Sequence, residues 1–148
     1  MENKIVDKLI KWIKQQVKEA KREGVVFGLS GGVDSSVVAV LCKKAFPKNH
    51  LALILPCFSS DKDLEDAHLV VKKFKLNSKI IDLKDVFLKF CEILDIDPKS
   101  KDLSTANIKP RLRMITLYYF ANKLNYLVVG TGNKSELTMG YFTKYGDG

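Results

Sequence analysis

Short apolar runs, each tied to a stretch of helical periodicity, constrain this chain more than any other feature. "GVVFGLS" (24–30) leads into "DSSVVAVLCKKAF" (34–46), which is apolar nearly all round and reads as a buried helix. "LALILP" (51–56) leads into "DLEDAHLVVKKFK" (63–75), where Leu64, Ala67, Val70, Val71 and Phe74 recur at helical spacing and Asp63, Glu65 and Asp66 fall in the first turn. "KIIDL" (79–83) leads into a helix bearing Val86, Phe87, Phe90 and Leu94, and "YLVVGTGN" (126–133) follows the helical segment "IKPRLRMITLYYFANKL" (108–124). Apolar runs without polar alternation are strands covered on both faces. Strands that alternate strictly with helices lie parallel, because each helix carries the chain back to the end where the previous strand began. The pattern predicts an α/β fold: a parallel sheet flanked by helices on both faces.

The remaining segments fit around that frame. In residues 4–22, Lys4, Lys8, Lys11, Lys14, Lys18, Lys21 and Arg22 recur opposite Ile5, Leu9, Ile13 and Val17, an amphipathic opening helix. "DIDPKSKDLSTAN" (95–107) is polar, carries a proline and has no periodicity, so it reads as a long loop. Pro110 is compatible with the helix after it when it stands in the first turn.

Composition narrows the class. A chain of 148 residues is one domain's worth and buries about two thirds of the surface of its unfolded form. No apolar stretch reaches the roughly 18 residues of a membrane span, which predicts a cytoplasmic protein without a membrane partner. Cys42, Cys57 and Cys91 form no C-x-x-C pair, so they are expected to be free buried thiols rather than a disulfide or zinc framework. The net charge of +8 favours anionic partners. These include nucleic acid, an acidic surface and a phosphorylated small molecule; because the lysines lie along a solvated helix face, nucleic acid is not the expected partner. His50, in a turn, and His68, on an ordinary helix, receive no catalytic role.

In a parallel sheet, ligands bind beyond the carboxyl ends of the strands, where the strand order reverses. Two glycine-bearing turns, Ser30–Ser36 and Gly130–Asn133, are predicted at such ends and are candidates for two walls of one site. In "GLSGGVDSS" (28–36), Gly31 and Gly32 let backbone N–H groups approach an anion, the next helix points its N-terminus at the same place, and Ser30, Ser35 and Ser36 add hydroxyls. The loop is not a Walker sequence: only three residues separate Gly28 from Gly32, and Asp34 stands near where the lysine would be. An aspartate beside phosphates requires a cation between them, and Mg²⁺ prefers this combination of carboxylate and phosphate oxygens.

"SGGVDSS" resembles the loop of the N-type ATP pyrophosphatases, enzymes that split ATP between its α and β phosphates. "GTGNKSELTMGYFTKYGDG" (130–148) is similar to the signature of the NAD synthetases within that superfamily, and "NIKPRLRMITLYYFAN" (107–122) resembles the arginine-bearing helix preceding it. The resemblance covers nearly the whole chain and implies the adenine nucleotide alpha hydrolase-like, Rossmann-like three-layer α/β/α fold. It implies ATP-dependent amidation of deamido-NAD to NAD with ammonia, through an adenylated intermediate that releases pyrophosphate and then AMP.

By the same resemblance, Gly28, Leu29, Ser30, Gly31, Gly32, Val33, Asp34, Ser35 and Thr131 bind ATP, Asp34 and Glu136 hold Mg²⁺, and Arg111 and Lys144 bind deamido-NAD. No side-chain nucleophile is required. Arg111 and Arg113 flank Leu112 and face different ways, so one of them is expected to meet substrate. The resemblance further implies a homodimer, with "MITLYYF" (114–120) available either to the interface or to the core. With no glutaminase domain ahead of it, the nitrogen source implied is free ammonia. Relatives continue beyond "KYGDG" with a further strand and helices, so residues 1–148 are expected to be one ATP-pyrophosphatase domain truncated at its C-terminal end, with one side of the sheet uncovered. Pro110 departs from the family's usual alanine. Two rival readings are a tRNA-thiolating ATP pyrophosphatase, for which Cys57 is the candidate cysteine, and a non-catalytic adenine-nucleotide-binding module.

Overall fold

The computed structural model describes residues 2–147. Strands β1 (Gly24–Gly28), β2 (His50–Ile54), β3 (Ser78–Ile80) and β4 (Tyr126–Val128) form one parallel sheet in the order β3-β2-β1-β4. Val25 lies opposite His50, Gly24 opposite Tyr126, and Ala52 opposite Ser78. The chain works outward from β1 through β2 to β3 and then returns to the other side of β1 as β4. The reversal of strand order therefore falls between β1 and β4.

The helices are α1 (Glu2–Glu19), α2 (Val33–Ala45), α3 (Asp61–Phe74), α4 (Lys84–Ile93), α5 (Leu103–Ala106), α6 (Ile108–Leu124) and α7 (Lys134–Met139). Successive strand side chains point to opposite faces, and this divides the core in two. Val25, Phe27, Leu29, Ala52 and Ile54 pack with Ile13 and Val17 of α1 and Ala39 and Cys42 of α2. Val26, Leu53 and Leu55 pack on the other face with Phe87 and Cys91 of α4 and Ala121 of α6. This is the predicted arrangement of helices on both faces.

Several boundaries differ from the expectation, each for a local reason. The strands are shorter than the apolar runs, but the ladder frays past them: Leu29 N–H still donates to Leu53 O at 2.9 Å, and Val129 N–H to Val26 O at 2.9 Å. Helix α2 is not buried all round. Ser35, Ala39, Cys42 and Ala45 form the buried stripe while Val33 and Val37 are exposed, because α2 lies on one face of the sheet with no layer beyond it. In α1, Ile13 and Val17 are buried but Ile5 and Leu9 are exposed, so its amphipathic pattern runs past the edge of the core. Helix α3 starts two residues early, capped by Ser60, whose hydroxyl accepts from Asp63 N–H at 3.1 Å. Asp61 and Asp63 therefore occupy its first turn, and Glu65 and Asp66 do not.

The expected loop 95–107 contains α5. Asp102 starts it, accepting from Thr105 N–H at 2.8 Å and from the hydroxyls of Ser100 and Ser104. These bonds hold its carboxyl well below the usual range. The overlooked signal was an aspartate immediately ahead of a short helical turn. Pro110 is the third residue of α6, inside its first turn as required.

The three cysteines are free and buried, and burial pushes the Cys42 thiol up to about 12. No described helix is long and apolar enough to cross a membrane. His50 begins β2 at the end of the sheet opposite the glycine turns. It is 2% exposed. Asn77 N–H donates to its Nε2 at 3.0 Å, which fixes the proton on Nδ1, 2.8 Å from Phe46 O.

Burial lowers the pKa of His50 from the ordinary 6.5, with Lys43 nearby adding to the effect and the Phe46 carbonyl opposing it. A histidine with a depressed folded pKa stabilises the fold above the unfolded value and loses that contribution as pH falls through the folded one. Urea titrations should therefore show the His50-dependent part of stability declining below about pH 6.5. His50→Gln should flatten that part of the profile and lose about 1–2 kcal/mol at pH 7.5.

Candidate nucleotide and metal site

The site is built where β1 and β4 end side by side. After β1 the chain turns through Leu29–Gly32 into α2. Gly31 has φ +90°, and a Cβ there would stand 2.5 Å from Asp63 O in the first turn of α3. The position accepts glycine on two counts, left-handed backbone and contact with another backbone. Gly32 caps α2 without a side chain, so the N–H groups of the first turn remain available to an anion.

The loop's own hydroxyls hold its shape. Ser35 Oγ donates to Gly32 O at 3.0 Å and accepts from Ser30 N–H at 3.2 Å, and Ser30 Oγ lies 3.1 Å from Ser35 Oγ. Ser36 Oγ donates to Gly32 O at 2.7 Å. These are bonds that an incoming phosphate can replace with shorter, charge-assisted ones.

After β4, Gly130, Thr131 and Gly132 lead to Asn133, the N-cap of α7. Asn133 Oδ1 accepts from Glu136 N–H at 2.9 Å, while Glu136 Oε2 accepts from Asn133 N–H at 2.9 Å, a reciprocal capping box. Asn133 Nδ2 also donates to Asp34 Oδ2 at 3.2 Å, joining the two walls directly. Asp34 and Glu136 thus sit either side of one amide, each with a second carboxylate oxygen that makes no hydrogen bond among the described residues.

Two adjoining cavities share the loop. The first, about 940 Å³, is lined by Gly28, Leu29, Ser30 and Ser35, by Leu55 and Pro56 beyond β2, by Arg113 and Tyr118 of α6, and by Val129 and Thr131. The second, about 630 Å³, is lined by Ser30, Val33, Asp34, Ser35, Thr131 and Glu136 with Leu103, Tyr141 and Phe142. Between them lies the segment 143–147, which reaches both. It is strapped to the start of α6: Thr143 Oγ1 donates to Asn107 Oδ1 at 2.8 Å, Thr143 N–H to Asp147 Oδ1 at 2.6 Å, and Arg111 Nε and Nη2 both to Lys144 O at 3.3 Å. Gly146 packs on Pro110, where a Cβ would be 3.1 Å from the proline Cβ.

The structure therefore brings together Gly28, Leu29, Ser30, Gly32, Val33, Asp34, Ser35, Thr131 and Glu136 around the two cavities. Gly31 shapes the loop without lining either cavity. Arg111 and Lys144 are exposed and line neither; Arg111 secures the strap, and Lys144 Nζ sits 5.0 Å from the Tyr145 ring centroid. The two arginines do face differently, and the one in the larger cavity is Arg113, its Nε donating to Leu55 O at 3.1 Å. Asn133 went unread in the sequence, although the N-x-x-E spacing of Asn133 and Glu136 is a capping-box signal. Cys57 is buried against Leu83 O and lines neither cavity, leaving the tRNA-thiolating alternative without a reachable sulfur.

Among the described residues, no three histidine, cysteine, aspartate or glutamate side chains gather as a metal cage. Mg²⁺ takes one or two carboxylates and completes its octahedron with substrate phosphates and water. Asp34 and Glu136, beside a phosphate-sized loop, are a donor set of that kind.

A family model described as NAD synthase matches residues 5–148. The chain is 49% identical over 144 residues to the NH(3)-dependent NAD(+) synthetase of Carboxydothermus hydrogenoformans, a match covering 96% of this chain and 59% of that protein. It superposes with a TM-score of 0.89 on the NH3-dependent NAD synthetase from Campylobacter jejuni, 40% identical, covering 98% of this chain and 62% of that one. It also superposes with a TM-score of 0.91 on the NMN synthetase from Francisella tularensis, 33% identical, covering 99% of this chain and 61% of that one. The chain thus spans about 60% of the length of these relatives.

Gly31→Ala should separate loop shape from fold. Its Cβ would push against the backbone of α3 at a left-handed position, so calorimetry should show ATP binding weakened about tenfold or more, with stability reduced by about 1–3 kcal/mol. Unchanged ATP affinity would mean that the loop does not hold the phosphates.

Proposed function

The chain belongs to the NAD synthase family, and from this we propose that the protein amidates deamido-NAD to NAD, using ATP and ammonia. The observation that carries the reading is the meeting, through Asn133, of the glycine and serine loop bearing Asp34 with the Glu136 turn at the switch point of the sheet.

The reaction follows from the chemistry of its ends. A carboxylate does not condense with ammonia at neutral pH, because hydroxide or oxide is too poor a leaving group. In the first step a nicotinate carboxylate oxygen attacks the α phosphorus of ATP, the bond to the β-phosphate oxygen breaks, and pyrophosphate leaves. In the second, ammonia attacks the acyl carbon, AMP departs with the bonding pair, and the nitrogen sheds a proton to give the amide.

In this reading the N–H of Gly32, the N-terminus of α2 and the hydroxyls of Ser30 and Ser35, on the turn that Gly31 shapes, receive the β and γ phosphates as they become a leaving group. Adenosine then lies in the larger cavity, over the end of β2, with Gly28, Leu29, Val33 and Thr131 completing the ATP contacts. Tyr141 and Phe142 of the smaller cavity offer faces to the pyridine ring. Asp34 and Glu136 are the residues that would hold Mg²⁺, which when bound neutralises charge building on the departing pyrophosphate. Arg111, by holding the Lys144 carbonyl, sets the strap from which Lys144 presents its ammonium to an anionic dinucleotide.

The described residues build one sheet with a core on each face, which supports reading the chain as a single ATP-pyrophosphatase domain. Within "MITLYYF", Leu117 and Phe120 pack on the core and Tyr118 lines the larger cavity, while the exposed Ile115 and Tyr119 are what a homodimer interface would use. Ammonia as nitrogen source rests on the relatives named for it. A cytoplasmic location goes with this proposal, because the co-substrate ATP is held there. A second reading, that the acceptor is a mononucleotide, is favoured by the likeness to the NMN synthetase.

Incubation with ATP, Mg²⁺, ammonium and deamido-NAD should yield AMP, pyrophosphate and NAD in equal amounts. A higher kcat/KM for nicotinate mononucleotide would select the second reading, and AMP formed solely with tRNA and a sulfur donor would overturn both. Asp34→Asn should leave the fold intact and lower Mg²⁺-dependent turnover by about 10²–10³-fold. Lys144→Ala should raise the KM for deamido-NAD several-fold with little change for ATP. Equal losses for the two substrates would remove Lys144 from that role.

A further inference from the structure

We propose that Asn133 is a positioning residue for the metal carboxylates, holding Asp34 and Glu136 at a fixed separation and orientation through one amide. The inference rests on the functional reading above, in that it takes these two carboxylates as the cation's protein ligands.

Three bonds converge on this residue. Its Nδ2 donates to Asp34 Oδ2 at 3.2 Å, its Oδ1 accepts from Glu136 N–H at 2.9 Å, and its own N–H donates to Glu136 Oε2 at 2.9 Å. Asp34 is 99 positions away in sequence, so this contact spans the crevice between α2 and α7. The other end of the Asp34 carboxylate makes no hydrogen bond among the described residues, and the N-cap of α2 is Gly32, which has no side chain to help. A surface aspartate's terminal torsion is broad and soft. One donor at Oδ2 removes that freedom and leaves Oδ1 to a cation. The capping box does the same for Glu136, engaging Oε2 and leaving Oε1.

The chemistry demands an amide. The tip must donate to one carboxylate while accepting from a backbone N–H, and it must not add charge between two anions that already repel. Serine satisfies the cap but carries no donor that reaches Asp34. Asn133→Ser therefore removes the tether and keeps the start of α7, and Asp34→Ala removes the tether's target, where asparagine would leave an amide oxygen to accept.

The experiment is a double-mutant cycle on the whole protein, with Mn²⁺ as probe and α,β-methylene-ATP as nucleotide, read by electron paramagnetic resonance. Asn133→Ser should weaken Mn²⁺ binding about tenfold, the lower end of what outer-shell partners contribute to metal affinity, with the thermal midpoint held within about 2 °C. In the Asp34→Ala background the same substitution should change Mn²⁺ affinity by less than about twofold, because its partner is gone. Equal losses in both backgrounds would assign Asn133 to the helix cap alone and overturn the proposal, as would wild-type Mn²⁺ affinity in Asn133→Ser. A crystal structure of Asn133→Ser should show the Asp34 carboxylate rotated from its place, and an unmoved carboxylate also overturns the idea. No turnover is needed for any of these readings. Protein that binds Mn²⁺ and nucleotide but makes no NAD would sink the functional reading and leave the cycle interpretable.

Discussion

The pairing of β1 with β4 is the constraint on which the rest of the molecule depends. Gly24 stands opposite Tyr126, and Val26 opposite Val128, although about 100 residues of chain separate each pair. Because these strands are neighbours and parallel, their carboxyl ends open at the same level, and the loops leaving them must run side by side. Every feature of the site follows: the glycine and serine loop enters α2, the Gly130–Asn133 turn enters α7, and the amide of Asn133 reaches Asp34 across the gap. A slip of one residue in this register would turn the core faces of β4 inside out and move the second turn out of reach.

The loop answers a phosphate in a way that differs from a Walker loop. A lysine would place a mobile cation directly on the β and γ phosphates. Here Asp34 stands near that position and backbone N–H groups and hydroxyls line the turn; in the function proposed above, cationic help falls to a metal held by Asp34 and Glu136. Two cavities adjoin the shared loop, one on the side of β2 and α6 and one on the side of α7.

Much of this was legible in the chain, and for identifiable reasons. Uninterrupted runs such as "LALILP" announced strands covered on both faces, and glycines at Gly31 and Gly32 between such a run and a helix announced a tight strand-to-helix turn. The cysteines behaved as buried thiols, and Pro110 fell in a first turn. Other features were hidden because they depend on contacts between distant residues. Which of Arg111 and Arg113 faces the larger cavity depends on the rotation of α6 against β1 and β4, and it is Arg113 that does so while Arg111 secures the strap. The short helix α5 was masked by the polar residues that start it, since Ser100, Asp102 and Ser104 are equally the vocabulary of a loop. Exposure of Val33 and Val37 on α2 shows the same limit: hydrophobicity all round a helix does not say how many layers will cover it.

The sequence by itself determined the alternation of strand and helix, the parallel sense that this alternation forces, and the glycine and serine character of the first turn with the acid Asp34 inside it. These are local properties, set by backbone sterics, helical periodicity and charge, and they act over spans of a few to a dozen residues. The tertiary structure decided the strand order, which placed the second turn against the first, and with it the partnership of Asn133 with Asp34 and the division of labour between the two arginines. Those depend on which of several equally apolar strands lies beside β1, a choice settled by packing summed over the whole core and written in no single segment of the chain.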